Sequence, residues 1–359
     1  MISERLETIL LINGTHPSSR LIRTCHHLRG SNIVGVTSLF VALTSFGFCC
    51  YYEHELKQLV TNMLFCTVLT VFLESINLWA SRRDRIEALT NNLVIVARAT
   101  EEQCSQKQLA KMEKVTYWTR IFVAVHAVDV ALVIILYTVF PFYQGKLVAD
   151  IPGFVDNPVF FWIFWVLKAI VLSAGSITYF FFTAYLIEVC ALLVYLYRCL
   201  CENFEGSASW EDIHSSVDIH RQLIDVTKMF DVVFSRSLFG LVAGGCTVII
   251  ACTSVILFSV YPEPLFFVFL LTVFSVYLAP NYLGDSLTVS YERVGISVYN
   301  SPWLDGSFAF RKVLVHVMLA SQRGFRLKAG ILGKLGIKQF AKFLSRWYRS
   351  VQAILKFKQ

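Results

Sequence analysis

Charge is scarce in this sequence. Only 16% of its 359 residues are Asp, Glu, Lys or Arg, whereas about a quarter is usual for a soluble domain. Apolar residues, counting aromatics and cysteine, make up 56%, and the mean hydropathy is +0.59. This balance argues against a soluble protein and excludes a disordered chain, a disulfide-stapled secreted module and a single-span receptor. The apolar surplus requires lipid, and at about 20 apolar residues per membrane helix the chain has room for seven.

The sequence also lacks the motifs of the common enzyme classes. It contains no Gly-x-Ser-x-Gly elbow, no His-Glu-x-x-His pair, no P-loop and no paired carboxylates within one apolar segment. Its ten cysteines show no regular Cys-x-x-Cys spacing, so neither a disulfide framework nor a zinc site is indicated. We therefore expect no enzymatic activity, no metal and no cofactor. The net charge of +7 indicates cytoplasmic-loop bias rather than nucleic-acid binding.

Apolar windows predict an all-α membrane protein with seven transmembrane helices. The predicted spans are 33–52, 56–80, 121–143, a fourth that begins at 158, 238–261, a sixth over 264–283, and 337–357. The charged segment 81–120 is predicted to be a long helical excursion into water, and the role of the polar, helix-prone stretch 205–236 stays ambiguous. Residues 158–204 are nearly free of helix breakers, which gives about 65 Å of helix, roughly twice what the bilayer needs. We expect this fourth helix to continue into the cytosol.

Lysine and arginine counts predict the orientation. The N-terminal segment and the connection between the second and third spans are rich in both residues, whereas the opposite side carries only Lys57 and Lys146 before the last helix. The positive-inside rule therefore predicts a cytoplasmic N-terminus and, with seven spans, an extracellular C-terminus. We divide the chain into 1–204, with the N-terminal tail and spans one to four, and 205–359, with the remaining helices, as two parts of one integrated domain.

Polar residues at membrane depth are candidates for function. His126 and Asp129 lie three residues apart on the third span, hence on one helical face. They can pair with each other as a buried structural pair, or one of them can meet the polar atom of a ligand. A polar patch on the fourth span, formed by Ser173, Ser176, Thr178 and Tyr179, is more typical of helix packing than of ligand binding.

The C-terminal part of the chain carries specific motifs. They are Gly284-Asp285-Ser286-Leu287-Thr288, Tyr299-Asn300-Ser301-Pro302-Trp303, Arg311-Lys312, Met318 with Ser321-Gln322, and Leu327-Lys328-Ala329-Gly330, followed by Phe340 in the last helix. In order and spacing this region resembles the insect odorant receptor family. Asp285 stands where the family usually has Asn, and Arg346-Trp347-Tyr348-Arg349 stands where many relatives have small residues. The family's co-receptor is longer, through an extended connection between its fourth and fifth spans, so the chain resembles a ligand-tuning subunit.

This resemblance implies an odorant-gated, non-selective cation channel in the plasma membrane of sensory neurons, built as a tetramer with co-receptor subunits around a pore lined by the last helix. It also implies that a small volatile organic ligand binds among spans two, three, four and six, in the outer half of the membrane. An apolar pocket would suit such a ligand, and membrane lipid is the remaining partner. The candidate ligand-binding residues are Phe65, Leu69, His126, Val130, Ile134, Tyr137, Ile170, Ser173, Ile177, Phe266, Phe269 and Leu270.

The same resemblance assigns the pore residues of the last helix. Aligning Phe340 with the corresponding aromatic residue of the co-receptor puts Ala353 and Phe357 at the pore constriction. Arg349, Arg346 and Lys342 precede Ala353 by four, seven and eleven positions, within about 40° of the same helical face. Rings of Lys and Arg favour anions, so we expect that a homotetramer does not conduct cations. We also expect that co-receptor subunits dilute the charge. Alternatively, these three side chains point to phosphates or side vestibules.

Four other functions compete with this interpretation. A gustatory receptor of the same superfamily would carry Thr-Tyr before Gln339-Phe340, where this chain has Leu332-Gly333. A G-protein-coupled receptor would have an outside N-terminus and an acidic-Arg-aromatic triplet closing the third span, whereas Asp84-Arg85 closes the second. A secondary transporter would show an internal repeat, which we do not find. A scaffolding membrane protein would give no ligand-dependent current.

Overall fold

A computed structural model describes residues 82–144, 158–207, 210–258, 264–330 and 333–358. These ranges form long helices and one short 3-10 helix. The helices are α1 (Arg83–Gln103), α2 (Gln106–Gln144), α3 (Pro158–Gly206), α4 (Trp210–Phe258), α5 (Pro264–Tyr299), the 3-10 helix (Trp303–Asp305), α6 (Phe308–Gln322) and α7 (Ile337–Lys358). The predicted spans 33–52 and 56–80, with Phe65 and Leu69, lie outside the described residues.

The third, fourth, sixth and last predicted spans fall on described helices, and so does the fifth up to residue 258. The predicted third span lies within α2, the fourth coincides with the 49-residue α3, and the last coincides with α7. Most of the polar stretch 205–236 and of the predicted fifth span 238–261 forms one helix of 49 residues, α4, which begins at Trp210 and ends at Phe258. Residues 205 and 206 instead end α3, and residues 259–261 lie outside the described residues. Segments of α2, α3 and α4 are long and apolar enough to cross a bilayer, namely Gln106–Leu136, Trp165–Gly206 and Glu211–Ile250.

The excursion predicted for 81–120 is not one continuous helix. It breaks after α1, where Cys104 has an extended backbone, and α2 begins two residues later. Ser105 and Gln108 explain the restart, because each side chain bonds the other's backbone nitrogen in a capping box. Ser105 N donates to Gln108 Oε1 at 2.7 Å, and Gln108 N donates to Ser105 Oγ at 3.4 Å. Because of this break, α1 and the start of α2 can point in different directions.

α3 is the central helix of the described bundle and packs against α2, α4 and α5. Its second half is almost continuously buried from residue 182 to 204, and Phe182, Tyr197 and Phe204 are among the largest fully buried side chains. The ring of Phe182 lies 5.9 Å from that of Phe234 on α4. Burying a large apolar side chain contributes about 1.5–3 kcal/mol, so these buried side chains contribute strongly to the stability of the described bundle.

α5 and α6 approach each other closely at Gly295. A Cβ atom at this position would lie 2.3 Å from Ser321 Oγ, and Ser321 itself is fully buried on α6. A methyl group here would displace the Ser321 hydroxyl, which donates to Met318 O, so glycine suits this approach. Ser321 belongs to the Ser-Gln motif found in the sequence, so the motif marks a helix contact.

We expect Gly295→Ala to destabilise the protein by about 1–3 kcal/mol, because the added methyl group must displace the buried Ser321 hydroxyl or push α6 away from α5. Gly206→Ala is the matched control, since a Cβ atom at Gly206 would meet nothing within 4 Å. The measurement is the thermal midpoint of the purified full chain in detergent. Equal midpoints for the two variants would contradict the close-packing interpretation.

Candidate ligand pocket and pore face

A cluster of polar side chains lies where α2, α3 and α5 meet. His126 on α2 is 3% exposed, and its Nε2 is hydrogen bonded to Thr183 Oγ1 of α3 at 2.9 Å. Asp129, one turn further along α2, lies within hydrogen-bonding reach of Thr272 on α5. The two residues thus share a face of α2, as predicted, but they do not pair with each other. Each bonds a threonine of a neighbouring helix.

His126 retains one free hydrogen-bonding atom. Its Nδ1 is buried and has no hydrogen-bond partner among the described residues. The imidazole ring packs against aromatic rings of α3, with its centroid 5.7 Å from that of Phe180 and 6.3 Å from that of Tyr179. A buried polar atom without a partner is unfavourable by about 1–3 kcal/mol. The site is therefore able to accept one additional polar atom.

Hydrogen bonds between α2 and α3 fix their antiparallel register. Gln108 bonds Asn203, Lys111 pairs with Glu202, and His126 bonds Thr183, so positions advancing on α2 match positions receding on α3. Continuing this register brings Ile134 and Tyr137 level with Ser176 and Ser173 on α3. His126 meets α3 ten residues beyond Ser173, which is about 15 Å along the helix axis. The candidate residues therefore lie at two levels along the contact between α2 and α3. Ile134, Tyr137 and Ser173 lie at one level, and His126 lies at the other.

The predicted ligand-binding residues differ in burial. Val130 is buried, and Ile134, Ser173 and Leu270 are half-buried. Ile170 and Ile177 share a face of α3 and are 59% and 45% exposed, so the described helices leave this face uncovered. Tyr137, Phe266 and Phe269 lie on α2 and α5, but their side chains lie outside the described part of the structure. Val130, Ile134, Ser173 and Leu270 therefore face other parts of the bundle.

Sequence analysis missed two of the polar residues in this cluster. Thr183 lies seven residues after Ser176, hence on the same face of α3, and this spacing was a usable signal. Thr272 had no comparable signal, because only the tertiary packing of α5 brings it to Asp129.

We expect Thr183→Val to lower stability by about 1–3 kcal/mol, because it removes the partner of His126 Nε2 and leaves both ring nitrogens unpaired. Thr247→Val is the matched control, since Thr247 is exposed and its hydroxyl bonds only Ala243 O of its own helix. The thermal midpoints of the purified variants test this. A drop of the same size in both variants would show that the His126 bond contributes nothing.

A tight loop between α6 and α7 docks on α5. Leu335 N donates to Leu327 O at 2.8 Å, and Gly336 N donates to Asn281 Oδ1 of α5 at 3.0 Å. Leu327 is fully buried and lies against Gly284. Gly330 has φ +49, and a Cβ atom there would lie 3.0 Å from Phe239 Cβ. The Gly-Asp-Ser-Leu-Thr and Leu-Lys-Ala-Gly motifs are thus two sides of one contact that fixes where α7 begins.

α7 has one packed aromatic face. The rings of Phe340 and Phe343 lie 5.6 and 4.9 Å from the ring of Tyr277 on α5. Trp347 Nε1 donates to Thr253 Oγ1 of α4 at 3.0 Å, and its ring lies 5.4 Å from that of Phe274. These contacts determine the rotation of α7 about its own axis.

The opposite face of α7 is basic. Lys342, Arg346, Arg349 and Ala353 are all exposed, as their predicted common face requires, and Phe357 is on the helix with its side chain outside the described residues. Lys338 and Lys356, which sequence analysis did not include, continue the same face and are also exposed. Residues 333–358 contain no Asp or Glu. We call Lys338, Lys342, Arg346, Arg349 and Lys356 the basic face.

Comparisons with known proteins identify the class. The family model described as 7tm Odorant receptor matches residues 55–348. Two solved structures of the insect olfactory receptor OR5 from Machilis hrabei, one of them in complex with eugenol, superpose with TM-scores of 0.84 and 0.83 at 12% identity. Both superpositions cover 99% of this chain and 97% and 98% of the two receptor chains, respectively.

The fold is therefore that of an all-α, seven-helix, multi-pass membrane protein, as predicted. The chain belongs to the insect odorant receptor family, a family of receptor channels and not of enzymes. It is also 22% identical to the putative odorant receptor 92a of Drosophila melanogaster over 154 residues. That alignment spans 41% of this chain and 38% of the relative's length.

Proposed function

We propose that this chain is the odorant-binding subunit of a ligand-gated, non-selective cation channel and that it assembles as a tetramer with the odorant co-receptor. The observation that carries this proposal is the pair of opposite faces on α7. Its aromatic face packs on α4 and α5, which leaves the basic face away from the bundle. A row of charges about 27 Å long is strongly unfavourable against lipid tails, but it is stable beside water. A water-filled pore satisfies this requirement.

The basic face also supports a mixed tetramer. Four copies would place twelve cations from Lys342, Arg346 and Arg349 alone around one axis. Such rings repel permeating cations and attract anions. Because the helix carries no compensating carboxylate, the subunit cannot neutralise this charge itself. Co-receptor subunits would dilute it.

The ligand site belongs at the outer level of the α2 and α3 contact, where register brings Ile134 and Tyr137 level with Ser176 and Ser173. We infer that span two completes it. Small apolar volatiles suit half-buried aliphatic residues such as Ile134 and Leu270, and His126 Nδ1 offers one polar contact deeper in the bundle. The related receptor solved with eugenol supports an aromatic volatile as a first test ligand.

In this proposal the N-terminus is cytoplasmic, the C-terminus is extracellular, and the channel lies in the plasma membrane of a sensory neuron dendrite. Residues 1–204 would carry the ligand pocket together with α5, and residues 205–359 would carry the cytoplasmic anchor and the pore helix. The length of α3 and α4 supports this arrangement, because each helix is about 73 Å long and must extend beyond the bilayer.

Co-expression tests the subunit role. We expect odorant-evoked cation current when the chain is expressed with a co-receptor in cells that lack other receptors, and little or no current from the chain alone. The measurement is whole-cell current against a panel of volatile esters, terpenes, aldehydes and phenols such as eugenol. Comparable cation current from the chain alone would contradict the charge-dilution argument.

Charge neutralisation tests whether the basic face lines the pore. We expect the double variant Arg346→Gln/Arg349→Gln to raise the unitary cation conductance of the mixed channel by about twofold or more, because it removes pore-lining cations. Arg221→Gln/Lys228→Gln is the matched control, since both residues are exposed on α4 and distant in sequence from the pore helix. Unchanged conductance in both variants would instead favour side chains directed to phosphates or side vestibules.

A steric pair tests the pocket. We expect Ile134→Trp to shift the odorant dose-response curve to at least about tenfold higher concentration, since it fills space among α2, α3 and α5. Val128→Trp is the control on the same helix, because Val128 is 70% exposed. Equal shifts for both variants would place the ligand elsewhere.

A further inference from the structure

Two thiols meet where the link between α1 and α2 contacts α3. Cys104 is the first residue of that link and is half-buried, and Cys199 is a buried residue of α3. The two side chains are hydrogen bonded to each other, and neither cysteine forms a disulfide. Because Cys104 lies in a two-residue non-helical link, its backbone can adjust without unwinding a helix.

Neighbouring contacts place Cys199 on the same face independently. Tyr195 and Asn203 lie one turn before and one turn after Cys199 on α3. Tyr195 Oη donates to Gln108 O at 2.6 Å, and Gln108 Nε2 donates to Asn203 Oδ1 at 2.9 Å. The face of α3 that holds Cys199 is therefore turned to the start of α2.

An open cavity lies beside the partly exposed Cys104. The cavity, of about 690 Å³, is lined by Gln103 and Ser105, the residues on either side of Cys104, and by Glu202 and Asn203 of α3. The hydrogen bond from Cys199 lowers the pKa of the Cys104 thiol below its usual value, although burial and the carboxylates of Glu101 and Glu202 act in the opposite direction. A thiolate that small molecules can reach is the reactive form of cysteine.

We propose that Cys104 and Cys199 form a reversible redox site that is oxidised by hydrogen peroxide or another small peroxide. The Cys104 thiolate attacks one peroxide oxygen, the O–O bond breaks, and the products are a Cys104 sulfenic acid and hydroxide. The Cys199 thiol then attacks the Cys104 sulfur, its proton leaves with the sulfenic oxygen as water, and a Cys104–Cys199 disulfide forms. Cellular thiols reduce this bond again, as is usual for disulfides in the cytosol.

The disulfide would tie the link between α1 and α2 covalently to α3. In the reduced protein this junction is held by hydrogen bonds and by the exposed Lys111–Glu202 ion pair, which are individually weak. The inference does not depend on which ligand opens the channel or on how many copies the tetramer contains.

Peptide mapping tests the chemistry without any current measurement. We treat the purified full chain with hydrogen peroxide, digest it and search for linked peptides by mass spectrometry. The expected result is a Cys104–Cys199 linkage that dithiothreitol removes, and that Cys104→Ser and Cys199→Ser abolish. Cys201→Ser is the control, since Cys201 is equally buried two residues further along α3. Absence of this linkage, or equal linkage among other cysteines, would overturn the proposal.

The intermediate provides a second measurement. In Cys199→Ser, the Cys104 sulfenic acid has no resolving thiol, so dimedone should label Cys104 several-fold more than in the unmodified sequence. In Cys104→Ser, Cys199 should remain unlabelled. Labelling of Cys199 in that variant would reverse the assigned roles and overturn the mechanism.

Currents test the consequence for the channel. In inside-out patches containing the mixed channel, we expect peroxide to change the ligand-evoked current of the unmodified sequence and dithiothreitol to restore it. We expect that neither Cys104→Ser nor Cys199→Ser responds to peroxide. An equal peroxide response in the variants would show that the site does not regulate the channel. Absence of any ligand-evoked current would contradict the proposed function while leaving the mapped disulfide intact.

Discussion

The contact between α7 and the tyrosine and phenylalanine rings of α5 constrains much of what this receptor can do. Phe340 and Phe343 on Tyr277, with Trp347 bonded to Thr253, fix the rotation of the last helix. Once that rotation is fixed, the direction of every cation on α7 follows from helical periodicity alone. The docked loop between α6 and α7 supports the same contact, because it sets the starting point of the helix on α5. The orientation of the basic face therefore depends on aromatic packing.

The fold follows from the sequence where apolar length is decisive. The breaker-free run from residue 158 predicts a helix longer than the bilayer, and α3 has that length. The break at Cys104 was not predicted, because the capping box of Ser105 and Gln108 is a local signal within a charged, helix-prone segment. The continuity of α4 was also not predicted. The polar stretch 205–236 is long enough to form a helix of its own, so the sequence did not show that it continues into the fifth span.

The candidate sites were predictable to different degrees. Helical spacing alone gave the common face of Lys342, Arg346 and Arg349, and the structure leaves these residues exposed. The partners of His126 and Asp129 could not be found this way, because Thr183 and Thr272 come from other helices and their positions depend on register. Ile170 and Ile177 show the same limit, since periodicity gives a shared face but not what covers it.

The unbroken length of α4 has a mechanical consequence. A helix of 49 residues behaves as a stiff rod about 73 Å long, so a tilt of a few degrees at one end displaces the other end by several ångströms. One end of this rod packs beside α1 and the other contacts Trp347. A tilt introduced at one end of α4 consequently shifts the opposite end sideways.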